Sequence, residues 1–131
     1  MNPFFWPVRV YYEDTDAGGV VYHANYLNFF ERARTEMLRD LGFEQDQLKD
    51  ESEVLFAVRS LAIEYLKPAK FNDFLNIVTQ ITDCRKTWMM FEQTLMRHDE
   101  VLCQAHVRIA CIDALKLKPK PIPPFILEKL T

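Results

Sequence analysis

The densest group of chemically able side chains lies between Tyr12 and Tyr26, where Asp14, Asp16, His23 and Asn25 are gathered around Gly18 and Gly19. A carboxylate can attack an acyl centre directly, giving a mixed anhydride, or act as general base on water. The residues do not choose between these routes. Glycines let a backbone come close to a ligand. A helix starting just after them presents unpaired N–H groups and a partial positive charge. Together these suit an oxyanion beside a carboxylate, and a thioester, with its electrophilic carbonyl and easily departing thiolate, fits such a site. Each residue also has a structural reading. Asp16 in a Thr-Asp-Ala-Gly-Gly run is a turn former, and His23 caps a helix or packs in an interface. Asp14 is expected to be structural or solvent-facing, and Asn25 to be an N-cap more than a substrate ligand. His98 and His106 have no metal-ligand spacing with His23, so neither a metal site nor a cofactor is expected. GxSxG, P-loop and GxGxxG patterns do not occur.

Something must hold that stretch in place. Val8 to Tyr12 reads as a short strand and Glu13 to Gly19 as a polar loop. A helix is expected from about His23 or Asn25 to Leu41, with Leu27, Phe30, Ala33, Met37 and Leu41 as its apolar stripe. Gly42 directly after Leu41 predicts a C-cap. Glu44 to Glu53 is a charged connector with room for a helical turn. Four strands follow: Val54 to Leu66, Phe74 to Asp83, Thr87 to Arg97 and Val101 to Asp113. The last alternates Cys103, Ala105, Val107, Ile109 and Cys111 with polar residues. Lys67-Pro68-Ala69 breaks the first strand from the second, and Asp83 to Lys86 and His98 to Glu100 read as turns. Four prolines from Pro119 to Pro124 exclude regular structure until the last few residues. One apolar helix and an antiparallel sheet imply an α+β fold, a five-stranded sheet curled around the helix. Its edge strands suit pairing with a second copy.

The chain has 131 residues, enough for one domain, here residues 1–131. The net charge of -3 does not favour nucleic acid as a partner. The three cysteines, Cys84, Cys103 and Cys111, lack a CxxC spacing and predict free thiols in a reducing compartment. Met1 to Arg9 has neither a basic lead nor a long apolar run, and no stretch approaches the ~18 apolar residues of a membrane span. A cytoplasmic protein is expected, with at most peripheral contact at the inner membrane.

The run Tyr12-Glu13-Asp14-Thr15-Asp16, followed by Gly19, Val21, His23 and Tyr26, is specific. It resembles the YbgC branch of the 4-hydroxybenzoyl-CoA thioesterase family. The likeness extends from Val8 to Leu38, through Ile63 to Ala69, to Phe91-Glu92-Gln93 and Cys111-Ile112-Asp113, and so covers nearly the whole chain. It implies the hot-dog fold, a long central helix wrapped by a curved antiparallel five-stranded sheet. It also implies hydrolysis of short- to medium-chain acyl-CoA to free acid and CoA, with acyl carrier protein thioesters as another carrier. By the same likeness Asp16 is the catalytic carboxylate. The His23 backbone N–H polarises the carbonyl, and the imidazole is itself a candidate catalytic group. Tyr12, Gly19, Asn25 and Tyr26 fall to substrate contact, and Arg85 and Lys86 to the phosphates of CoA. The bulky Trp88, Met89 and Met90 would reshape an acyl channel if they faced it. Family members form homodimers and commonly homotetramers with sites at subunit interfaces, and are linked to the Tol-Pal cell-envelope system. Two rival functions share these features, a hot-dog dehydratase and a non-catalytic acyl-binding or scaffold protein. The closeness of Asp16 and His23 around a glycine loop favours the thioesterase.

Overall fold

The computed structural model describes residues 2–130. A first strand, β1 (Phe4–Arg9), leads to a single 3-10 turn at Tyr12–Asp14 and then to α1 (Asn25–Asp40) and α2 (Gln45–Ser52). Four strands follow, β2 (Val54–Tyr65), β3 (Phe74–Cys84), β4 (Trp88–Arg97) and β5 (Glu100–Asp113), before a short C-terminal α3 (Pro124–Leu130). The strands form one antiparallel sheet in the order β1-β3-β4-β5-β2.

The long helix forms where the apolar period required it. Tyr26, Phe29, Phe30, Ala33, Met37 and Leu38 are buried on one face, while Leu27 is half-buried. It ends as expected. Gly42, at φ +98°, adopts a conformation that costs other residues a Cβ clash. Its N–H donates to the Arg39 carbonyl at 3.0 Å, and the Phe43 N–H donates to Leu38 at 2.8 Å.

The sheet supplies the other half of the core. Leu75 and Ile77 of β3, Met89, Phe91 and Leu95 of β4, and Cys103, Ala105, Val107, Ile109 and Cys111 of β5 are buried. Register shifts at Val58/Ser60, Ile81/Asp83 and Leu95/Met96 provide the bends a curled sheet needs. Strand alternation sends Trp88 and Met90 to the face opposite Met89 and Phe91. The Arg108 guanidinium lies 3.7 Å over the Trp88 ring on that outer face.

Three elements differ from the sequence reading. The first strand lies earlier than Val8 to Tyr12, because Asp14 captures the chain. Its carboxylate accepts the Tyr11 N–H at 2.8 Å, and its own N–H donates to the Tyr11 carbonyl at 3.0 Å. Such side-chain bonds compete with a ladder and turn the chain away from the sheet. The charged connector is a complete helix, α2, anchored by the buried Leu48 and stopped by Glu53 at φ 55°. After the prolines, α3 begins at Pro124, a position where a missing N–H costs nothing, and buries Ile126 and Leu130.

The two sheet edges are unlike. β1 carries Pro7, which cannot donate to a neighbouring strand. β2 has no such interruption. Val58, Leu61 and Tyr65 pair with Ile109, Val107 and Cys103 and so share their inward face, yet they are 48%, 41% and 46% exposed. The protein's own helix leaves this face about half open.

Candidate active site

Asp14 and Asp16 sit at the sheet end where α1 begins, and their surroundings separate them. Asp14 is buried. Besides Tyr11, it accepts the Asn25 side-chain amide at 2.8 Å, and its carbonyl accepts the Tyr22 N–H at 2.9 Å. It ties the end of β1 to the first residue of α1. Asn25 is therefore not an N-cap. Its amide nitrogen serves Asp14, and its oxygen accepts the Asn28 amide at 2.7 Å. The N-cap position is Ala24, with no side-chain bond.

Asp16 is exposed and shaped by the glycines. The Gly18 N–H donates to Asp16 Oδ1 at 2.8 Å, and the Gly19 N–H to the Asp16 carbonyl at 3.0 Å. The Asp16 N–H donates to Val20 at 2.9 Å, closing the loop. Gly19 has φ +79°, which an L side chain rarely adopts. A Cβ on Gly18 would stand 3.2 Å from Asp16 Oδ1. The loop thus fixes one carboxylate oxygen, and Oδ2 has no protein donor among the described residues.

Two depressions meet at Asp16. One, of about 320 Å³, is lined by Asp16, His23, Tyr26, Tyr65, Lys67 and Pro68, with Val20, Val21 and Leu66. The other, of about 580 Å³, is lined by Tyr12, Thr15, Asp16, Ala17, Gly19 and Phe71. The fold therefore brings Asp16, His23 and Tyr26 together on one side, and Asp16, Tyr12 and Gly19 on the other. Asn25 lines neither. Arg85 and Lys86 also line neither; they are exposed at the β3–β4 turn, where Arg85 pairs with Asp83 at 2.9 Å. Trp88 and Met90 face the outer side of the sheet and do not narrow this cleft.

The segment after β2 builds the opposite wall. The buried Tyr26 hydroxyl accepts the Ala69 N–H at 3.1 Å, and Val21 N–H donates to the Ala69 carbonyl at 2.8 Å. Arg97 braces the same loop, bonding Asp73 at 2.8 Å and Glu100 at 2.7 Å, while Lys67 reaches Glu100 at 2.6 Å. Tyr65 is the contributor that residue types alone did not reveal. Its hydroxyl donates to the His23 carbonyl at 2.8 Å, and its ring packs edge-on against Tyr26 at 5.2 Å. Its position before Lys67-Pro68, where a strand must stop, was the one available signal. Among the described residues no backbone carbonyl accepts the His23 N–H. The site thus offers a carboxylate with a free oxygen, a helix start and an unused N–H. Among the described residues no cluster of His, Cys, Asp and Glu could hold a metal ion.

The sequence profile of the thioesterase-like superfamily matches residues 10–130. The chain belongs to this superfamily. It is similar to the acyl-CoA thioesterase YbgC of Haemophilus influenzae, at 52% identity over 93% of this chain and 90% of the relative. Among solved structures it resembles a probable thioesterase from Bartonella henselae, at 38% identity and TM-score 0.89, over 93% of this chain and all of the other. The fold also matches that of a 4-hydroxybenzoyl CoA thioesterase mutant complexed with 4-hydroxybenzoyl CoA. There the TM-score is 0.92 at 17% identity, over 98% of this chain and 99% of that one. The five-stranded α+β architecture is thus that of the hot-dog thioesterases, in which the Asp16 loop opens onto a cleft at the start of the long helix.

Proposed function

We propose that the protein hydrolyses acyl-CoA thioesters to free acid and CoA, with Asp16 as its catalytic carboxylate. The observation that carries this reading is the loop itself. The Gly18 N–H holds one oxygen of Asp16 and leaves the other free, in a cleft shared with His23. The unused His23 N–H, at the positive end of α1, is the donor for the thioester carbonyl. Asp16 then attacks that carbonyl and CoA thiolate departs, leaving a mixed anhydride that water hydrolyses to free acid and Asp16, or Asp16 takes a proton from water as it attacks and CoA thiolate departs from the free acid. Tyr12, Gly19 and Tyr26 are substrate-contact residues under this reading. Asn25 acts from behind them, through Asp14. Short- and medium-chain acyl groups, and acyl carrier protein as a second carrier, complete the substrate range.

The exposed inward face of β2 supports a homodimer joined along that edge, which itself pairs into a tetramer. Arg85 and Lys86, at the β3–β4 turn, lie at the Val54 end of the sheet and not at the Tyr65 end beside Asp16, and they serve CoA phosphates only across such an interface. The working compartment is the cytoplasm. No described helix is long and apolar enough to cross a membrane.

The test compares wild type with Asp16→Asn on acyl-CoAs of increasing chain length, following thiol release. A loss of at least about 100-fold in kcat is expected, the size of effect seen when a catalytic group is removed. Equal activity in both proteins rejects Asp16. An enoyl product from a 3-hydroxyacyl-CoA would mark a dehydratase, and binding without product would mark an acyl-binding protein.

A further inference from the structure

The wall that faces Asp16 has no regular structure of its own. Between the end of β2 at Tyr65 and the start of β3 at Phe74 the chain is a loop. It contains Pro68, which has no N–H to donate, and Asn72 in the left-handed region at φ +71°. Ala69, fully buried at its centre, ties this loop to the site twice. Its carbonyl accepts the Val21 N–H at 2.8 Å, and its N–H donates to the Tyr26 hydroxyl at 3.1 Å. Val20, whose carbonyl accepts the Asp16 N–H, forms an isolated bridge with Lys70. Where the Asp16 turn stands therefore depends on where Ala69 and Lys70 stand.

Both flanks of Ala69 are held by one side chain, Arg97 at the end of β4. Its Nη1 donates to Asp73 Oδ2 at 2.8 Å, and the same oxygen accepts the Lys70 N–H at 2.9 Å. On the other flank Nη1 lies 3.4 Å from the Pro68 carbonyl oxygen. Its Nη2 donates to Glu100 Oε1 at 2.7 Å, and the second oxygen of Glu100 accepts Lys67 Nζ at 2.6 Å. Charge-assisted bonds from a planar fork fix direction as well as distance, which a lysine ammonium does not. Arg97 lines neither depression at Asp16, so it acts on the site only through the loop.

We propose that Arg97 is a positioning residue for the Asp16 site. It clamps Ala69, so that Val21, Tyr26 and the Asp16 turn keep their working geometry. The effect on turnover rests on the hydrolase reading, but the clamp does not. A small displacement of a catalytic group, with the substrate-contact surface left in place, lowers kcat more than it raises KM.

The experiment combines amide hydrogen exchange, read by NMR on the full chain, with steady-state kinetics on one acyl-CoA. In Arg97→Met the Ala69 and Val21 amides should exchange at least about tenfold faster than in wild type, while the Met37 amide inside α1 changes by less than about threefold. In the same variant kcat should fall by about tenfold or more, with KM within about twofold. Arg97→Lys, which keeps the charge without the fork, should recover part of the loss. Asp73→Asn supplies a second, milder variant. It should show the same pattern at smaller size, and adding it to Arg97→Met should cost little more, because both remove one shared bond. The proposal is overturned if Arg97→Met keeps the wild-type kcat, if its loss lies in KM alone, or if Ala69 and Val21 keep their wild-type exchange. Equal acceleration at Met37 would also overturn it, since that marks a general loss of stability. A wild type that hydrolyses no thioester would defeat the hydrolase reading, and the exchange rates alone would then decide the clamp.

Discussion

Asp14 and Asp16 are near neighbours with opposite duties. Asp14 is buried and fully engaged, and its two carboxylate oxygens accept Tyr11 and Asn25. Asp14→Ala should therefore cost about 1–3 kcal/mol of stability, the cost of leaving buried donors unpaired, as read by urea unfolding. In a double-mutant cycle with Asn25→Ala the two losses should fall short of additivity, because they remove one shared bond. Tyr65→Phe belongs to the same scale. It deletes the hydroxyl that fixes the His23 carbonyl but keeps the ring against Tyr26. Under the proposed mechanism kcat should fall by about 10-fold, the weight of roughly one hydrogen bond, while KM stays within about twofold. Steady-state kinetics on one acyl-CoA would check the split, and a change in KM alone would place Tyr65 on the substrate instead.

At the scale of elements, the part of the architecture with strong periodicity was legible. The stripe from Phe30 to Met37 fixed α1, Gly42 fixed its end, and the alternation from Cys103 to Cys111 fixed β5 and its buried face. What failed was wherever a side chain overruled a local pattern. Val8 to Tyr12 has the composition of a strand, but Asp14 draws Tyr11 into a turn. The α2 segment is polar nearly throughout, and Leu48 alone gives it a reason to fold back. In the site, Asp16, His23, Tyr12, Gly19 and Tyr26 were legible because they share one short stretch. Tyr65 was not, because its partner His23 is remote in sequence. The exposed inward face of β2 carries a prediction here. Leu61→Lys should leave the fold intact and convert the proposed dimer to monomer, as read by sedimentation velocity. A wild type that sediments as a monomer at micromolar concentration would remove the basis for β2 pairing.

The whole molecule answers to pH through its buried thiols. Burial pushes Cys103 up to about 12 and Cys111 up to about 11. A thiol whose pKa is higher folded than unfolded holds its proton more tightly in the native state. Its stabilising contribution is full below the unfolded value near 9 and fades as pH rises through the folded one. Thermal stability should therefore decline between about pH 9 and 12, and more gently in Cys103→Ala than in wild type. Native protein should also react slowly with thiol reagents near neutral pH, apart from the half-buried Cys84.

Pro7 has a consequence for how many copies can gather. A sheet open on both sides is a fibre's repeating unit, since each addition exposes a fresh acceptor for the next. This sheet has a proline in one border and none in the other. In the proposed dimer, two copies meeting at their free borders leave only proline-bearing ones outside, so edge-to-edge addition ends there. Under that proposal the residue least suited to a strand is the chain stopper.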